Sequence, residues 1–205
     1  ALIQAGYWMG KFNKIDIRDY GSGNAGTTNV MRTLGKKAGI ATYLLDAFKA
    51  VIADILIHFL IVPHTAIPEM LLFLYCGLGI VLGHNFPFYL KFKGGKGIAA
   101  SSGVVISLIL FPKYCFMFTV FGIFFFALVA KISRYVSLAS LIGMAMFFVE
   151  FLIWGFLGWL PLNGTDLVEG TVIVFALAAL AFIRHRSNIV RLVHGTERKI
   201  GEKKN

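Results

Sequence analysis

Cysteine occurs only twice in this chain, at Cys76 and Cys115. Each stands alone in an apolar stretch with no C-x-x-C spacing, so both read as buried thiols rather than as a disulfide or a zinc site, and no metal or cofactor is expected. Charge is scarce as well: 15% of the 205 residues are charged against 58% hydrophobic, with a mean hydropathy of +0.76. That balance excludes an ordinary soluble domain and predicts a polytopic membrane protein. Acidic residues are the scarcer sign, 10 against 20 Lys and Arg for a net charge of +10. In a soluble protein the excess would suggest nucleic acid, but in a membrane protein it is first a topology signal, and no nucleic-acid partner is expected.

The motifs of nucleotide chemistry are incomplete. "GSGNAG" (Gly21 to Gly26) has G-x-G-x-x-G spacing and Asp46 follows Gly26 by twenty residues. A dinucleotide-binding turn, however, needs a buried strand before it and a helix and second strand after it. Asp46 instead lies inside the apolar run Ile40 to Val62, too deep to end a Rossmann strand. "GGKG" (Gly94 to Gly97) has Gly where a Walker A loop needs Ser or Thr, so nucleotide hydrolysis has no support.

What the chain has is apolar length. Segments lie at residues 1–10, 40–62, 70–90, 98–112, 114–130, 138–160 and 171–183, compared with the roughly 20 residues that span a bilayer. The first, "ALIQAGYWMG", is too short to span and lacks an initiator Met, so the start of a helix is expected to be missing from it. The segments at 98 and 171 must borrow flanking residues or stop short. Lys and Arg number 6 in residues 11–39, 3 in 91–97, 2 in 131–137 and 7 in 184–205, whereas 63–69 and 161–170 contain none and Lys113 stands alone at the remaining turn. This alternation predicts about seven transmembrane helices, the N-terminus outside and the C-terminus cytoplasmic. With so much chain in helices, residues 1–205 are expected to form a single membrane-embedded domain.

Four polar segments then fall on the predicted inner face. The first, "RDYGSGNAGTTNVMRTLGKKAG", sets Gly21, Gly23 and Gly26 among Ser22, Asn24, Thr27, Thr28 and Asn29, and the pattern is helical from about Thr27 with Arg32 and Lys36 one turn apart. A Gly-rich turn entering a helix start beside cations outlines a phosphate site. The second, "GHNFPFYLKFKGGKGIAASSG", puts Lys96 as a point charge in a Gly-rich turn before an apolar helix. The third, "AKISRYVSLAS", sets Arg134 and Ser137 three residues apart, on one face if the helix has already started; the fourth, "FIRHRSNIVRLVHGTERK", does the same with His185 and Asn188. Polar side chains at membrane depth are functional candidates.

These strings, in this order over nearly the whole chain, resemble the signature segments of the bacterial acyl-phosphate-dependent glycerol-3-phosphate acyltransferases, the PlsY family. The chain departs from the family's pattern at its N-terminus, where members carry a full apolar helix ending in a Gly-Ser-Ile-Pro-like stretch and this chain has "LIQAGYW". The resemblance implies transfer of an acyl group from acyl phosphate to the 1-hydroxyl of glycerol 3-phosphate, giving lysophosphatidic acid for phospholipid biosynthesis at the cytoplasmic face of the inner membrane. It implies Ser22, His185 and Asn188 as catalytic, and Asn24, Thr28, Asn29, Arg32, Lys96, Arg134 and Ser137 as substrate- and phosphate-binding residues. Glycerol 3-phosphate, acyl phosphate and membrane lipids are the implied partners.

The residues allow several routes for the proton. The His-base arrangement H-x-x-x-x-D is absent, since no carboxylate stands five residues beyond His185 and His64 with Glu69, which comes nearest, lies on the predicted outer loop, and no G-x-S-x-G turn exposes Ser22 or Ser137 as a nucleophile. Either His185 is a base with another orienting partner, or the phosphate of the donor takes the proton. The alternative function is a membrane transporter or channel for a phosphorylated solute, but such a path needs polar groups through to the other face, and residues 98–112, 114–130 and 171–183 contain no charge, Lys113 standing between the first two.

Overall fold

The computed structural model describes residues 3–111 and 114–202; Lys113, expected alone at an outer turn, lies outside them. The described residues form helices and turns with no strand, in two compact units, Ala1–Ser107 and Leu108–Asn205.

In the first unit α1 (Ala5–Phe12), α2 (Thr27–Leu34), α4 (Glu69–Asn85) and α5 (Ile98–Ser107) all pack on α3 (Lys36–Leu60). Small residues set how closely they approach. A Cβ added to Gly103 of α5 would sit 2.1 Å from the Ala47 carbonyl oxygen of α3, and one on Gly77 of α4 would meet Val104 at 2.6 Å. Between them lie Met70, Phe73, Leu74 and Val104, all buried. Lipid removes the hydrophobic drive between helices, so close packing of this kind carries the association.

The second unit contains α6 (Phe116–Ser133), α7 (Val136–Phe156), α8 (Gly164–Arg184) and α9 (Arg186–Val193), with α7 packed between α6 and α8. Its aromatic core joins Phe118 of α6 to α7: the Phe118 ring lies 4.1 Å from Trp154 and 5.4 Å from Phe147, both edge-on.

Each apolar stretch overlaps a helix. Four helices are long and apolar enough to cross a membrane: Glu69–Leu90, Phe116–Ser133, Val136–Phe156 and Gly164–Arg184. α3 has the length, with 25 residues, but carries Asp46, Lys49 and Asp54 within its apolar run. α6 leaves Ile123 and Phe124 65% and 53% exposed, the side chains of a helix whose outer surface faces lipid. This is an all-α, multi-pass membrane protein.

Three local expectations change. Gly35, at φ +92°, closes α2 and opens α3, so Arg32 and Lys36 belong to different helices rather than to successive turns of one. Arg134, in the left-handed region at φ +61°, ends α6, and Tyr135 is extended before α7 begins; Arg134 and Ser137 therefore share no helix face. "GTDLVEG", expected in an outer loop, forms the first two turns of α8, which runs 21 residues. Asp166 in its first turn complements the helix dipole.

Candidate functional site

The first polar segment is a loop that folds on itself. Arg18 holds Asp16 in a two-pronged ion pair, Nε to Oδ1 at 3.0 Å and Nη2 to Oδ2 at 2.7 Å. The guanidinium keeps the Asp16 carboxyl at about 2, well below its ordinary range. Between these residues the Ile17 side chain packs inward with Ala25 and Val30. Gly21 and Gly23, at φ +60° and +70°, then reverse the chain.

Asn29 closes the loop. Its Oδ1 accepts from the Ser22 backbone N–H at 2.8 Å, and its Nδ2 donates to the Ile17 and Tyr20 carbonyls at 3.0 Å each. Both amide donors are thus spent on the loop, and Asn29 is 1% exposed. Sequence reasoning grouped it with the phosphate ligands, but here its amide shapes the loop that would hold them. Gly26 precedes α2 with no side-chain cap, so the first N–H groups of the helix point out of its start. The Thr27 hydroxyl at this start is buried with no hydrogen-bond partner. Asn24 and Thr28 are half-buried on the same segment, and Ser22 and Arg32 are exposed.

Lys96, half-buried, sits on the second loop. There the Gly94 and Gly95 N–H groups donate to the Asn85 and His84 carbonyls, each at 3.2 Å, which ties the loop to the last turn of α4. The Ser101 N–H donates to the Gly97 carbonyl at 2.7 Å as α5 begins.

In the second unit the organising residue is one that sequence reasoning missed. Glu197 Oε1 accepts from Ser137 Oγ at 2.8 Å and from Asn188 Nδ2 at 2.7 Å, while Oε2 accepts from Arg191 Nε at 2.7 Å. One carboxylate thus brings together Ser137 of α7 and Asn188 of α9. Burial pushes the Glu197 carboxyl up, but the hydrogen bonds from Asn188, Arg191 and Ser137 and the Arg191 charge outweigh it and leave it below the ordinary range. Its signal in the sequence was its sign, because Glu197 and Glu202 are the only acids among residues 184–205. Arg134 is exposed and joins the same tail reciprocally: its Nη2 donates to the Ile200 carbonyl and its own carbonyl accepts from the Ile200 N–H, both at 2.8 Å.

His185 joins α8 to α9 and is 2% exposed. Its Nδ1 lies 2.7 Å from the Ala181 carbonyl oxygen. A carbonyl can only accept, so Nδ1 carries the proton and, in the neutral ring, Nε2 is the acceptor. The orienting partner of Nδ1 is therefore a backbone dipole instead of a carboxylate. The Asn188 N–H donates to the His185 carbonyl at 2.8 Å, which fixes the two residues to one turn.

A family model described as glycerol-3-phosphate acyltransferase matches residues 1–195. The chain is similar to the glycerol-3-phosphate acyltransferase of Thermoanaerobacter pseudethanolicus, with 41% identity over 202 residues covering 98% of this chain and 90% of the relative. To that of Streptococcus pneumoniae it is 39% identical over 196 residues, 95% of this chain and 85% of the relative. Its fold is similar to the crystal structure of PlsY (YgiH), an integral membrane glycerol 3-phosphate acyltransferase, in the glycerol 3-phosphate form. The TM-score is 0.78 at 32% identity, covering 98% of this chain and 91% of that one. The lysphosphatidic acid form of the same protein gives 0.76 at 32%, covering 97% and 89%.

The Glu197 clasp has a definite pH dependence. A carboxyl depressed on folding adds stability that is fully present above its unfolded value, about 4.3, and is lost as pH falls through the lower folded value. In detergent, the melting temperature of the wild type is expected to drop in that acid range. Glu197→Gln is expected to be less stable near neutrality by about 1–3 kcal/mol and to show a flatter acid decline. An acid decline equally steep in the variant would show that Glu197 does not clasp the tail.

Proposed function

This chain belongs to the glycerol-3-phosphate acyltransferase family, and we propose that it transfers a fatty acyl group from acyl phosphate to the 1-hydroxyl of glycerol 3-phosphate at the cytoplasmic face of a bacterial inner membrane. The products are lysophosphatidic acid and inorganic phosphate. The family match runs from residue 1 to residue 195, through both compact units, and supports reading the chain as one acyltransferase domain.

The observation that carries this reading is the uncapped start of α2 on a loop already closed by Asn29. Backbone N–H groups, the half-buried Asn24 and Thr28 and the exposed Arg32 there suit a phosphate, with Arg supplying bidentate contact. Lys96 supplies a point charge to a substrate phosphate from its glycine turn. Arg134 adds a cation in the second unit, where Ser137 and Asn188 offer polar groups held by Glu197. Ser22 contributes an exposed hydroxyl to the reacting groups.

In the reaction the glycerol oxygen attacks the acyl carbon, the new ester bond forms, and the bond between the acyl carbon and the phosphate oxygen breaks. The phosphate leaves with the bonding pair and takes the hydroxyl proton. Acyl phosphate is already activated, so the protein's task is juxtaposition and stabilisation of developing negative charge, with no covalent enzyme intermediate. His185 serves as an orienting acceptor through Nε2. A carbonyl on Nδ1 stabilises an imidazolium less than a carboxylate would, which favours the donor phosphate over His185 as the final proton acceptor.

The short polar loops offer little surface for the adenine and 3'-phosphate of coenzyme A. Purified protein is expected to turn over acyl phosphate and to show little activity with acyl-CoA, and comparable rates with both donors would overturn the donor assignment. In the same assay Arg32→Ala and Lys96→Ala are each expected to lower kcat/KM by about ten- to a hundredfold, the loss of a charge-assisted hydrogen bond.

His185→Asn keeps a donor for the Ala181 carbonyl. It is expected to retain a reduced rate across the pH range in which acyl phosphate is stable. If the wild type shows an acidic limb in its pH–rate profile that disappears in His185→Asn, His185 is a general base.

A further inference from the structure

Asp46, the acid whose spacing imitates a dinucleotide-binding fold, is 1% exposed inside the first unit. Lys49, one turn along α3, reaches Asp46 Oδ1 at 2.8 Å and His84 Nδ1 at 2.7 Å, and His84 Nδ1 lies 3.5 Å from Asp46 Oδ1. An ammonium has three donors and no acceptor, so Lys49 can serve both partners, which assigns the ring proton of His84 to Nε2. The His84 carbonyl accepts from Gln4 Nε2 at 2.6 Å. Charged and polar groups buried together in this way are retained at a large desolvation penalty, and removing one partner leaves the other uncompensated.

The other side of the His84 ring meets the glycine turn. A Cβ on Gly95 would lie 2.1 Å from His84 Nε2, and one on Gly94 would lie 2.1 Å from the His84 carbonyl oxygen and 2.5 Å from Pro87 Cδ. The turn therefore abuts the Nε2 tip of the imidazole and the last turn of α4, joined to it by the Gly95 N–H on the His84 carbonyl. Only glycine fits either position. A rotation of the His84 ring would push directly on the backbone one residue before Lys96.

We propose that Asp46, Lys49 and His84 are positioning residues for the acyl transfer: they lock the His84 ring against the Gly94–Gly95 turn and so aim Lys96 at the substrate phosphate. This rests on the reading of Lys96 as a phosphate-binding cation. The three side chains touch no substrate in this account; they act through the turn.

The test combines amide hydrogen exchange over residues 91–97 with steady-state kinetics of the purified full chain, using acyl phosphate and glycerol 3-phosphate. The variants are Asp46→Asn, the paired Asp46→Asn/Lys49→Gln, Lys96→Ala and each network change added to Lys96→Ala, with Glu69→Gln at the other end of α4 from His84 as the control. The paired variant removes both charges while keeping a donor for His84, so it decides the matter if Asp46→Asn alone fails to fold. Exchange in 91–97 is expected to quicken by about tenfold or more in the network variants and to stay unchanged in Glu69→Gln. Their kcat/KM is expected to fall about tenfold, with no further fall when they are added to Lys96→Ala. Unchanged exchange, or losses that multiply with that of Lys96→Ala, would overturn the proposal. Full activity in Lys96→Ala would overturn the phosphate role of Lys96 and the catalytic half of the proposal with it, while the exchange data separately decide whether the network holds the turn.

Discussion

A loop that meets a phosphate at the edge of a bilayer must first satisfy its own N–H and C=O groups, because lipid offers them no partners. The first polar segment does so through one side chain, and the second through the backbone carbonyls at the end of α4. Asn29 spends its whole amide on the Gly-rich loop before α2, and Glu197 gathers Ser137, Asn188 and Arg191. Only a loop closed internally can present the start of α2 or the Lys96 turn outward in a fixed shape, and electrostatic catalysis depends on that preorganisation.

The same constraint explains why glycine and charge lie so close together. Gly94 and Gly95 let the second loop rest on the end of α4 with no side chain between, and the buried Asp46 pairs with the half-buried Lys49 on the other side of His84. In the second unit, the Nδ1 of His185 is oriented by a carbonyl of its own helix. The chemistry asked of that ring is correspondingly mild. In the proposed reaction acyl phosphate brings its own leaving group and its own proton acceptor, so a site of cations, hydroxyls and one oriented imidazole would suffice.

Much of this was legible in the sequence for physical reasons. A bilayer admits helices as the way to bury a long apolar run, so every such run overlaps a helix, and the Gly, Lys and Arg clusters mark the polar segments that carry the candidate residues. What was not legible depends on single backbone angles and on distance along the chain. Nothing in "LGKK" announces that Gly35 separates two helices, and nothing in "SRYVS" that Arg134 turns left-handed. The start of α8 was hidden because Thr165, Asp166 and Glu169 look like a loop, although acids are stabilising in a first turn. Glu197 acts on Ser137 from sixty residues away, and local pattern carries no information at that range.

These residues are proposed to perform a chemical transfer and not a passage of solute. Phosphorus NMR of the protein reconstituted in vesicles, supplied with acyl phosphate and glycerol 3-phosphate, tests this most directly. The account predicts that lysophosphatidic acid and inorganic phosphate appear together in equal amounts. Glycerol 3-phosphate accumulating inside the vesicles, with no lysophosphatidic acid formed, would contradict it.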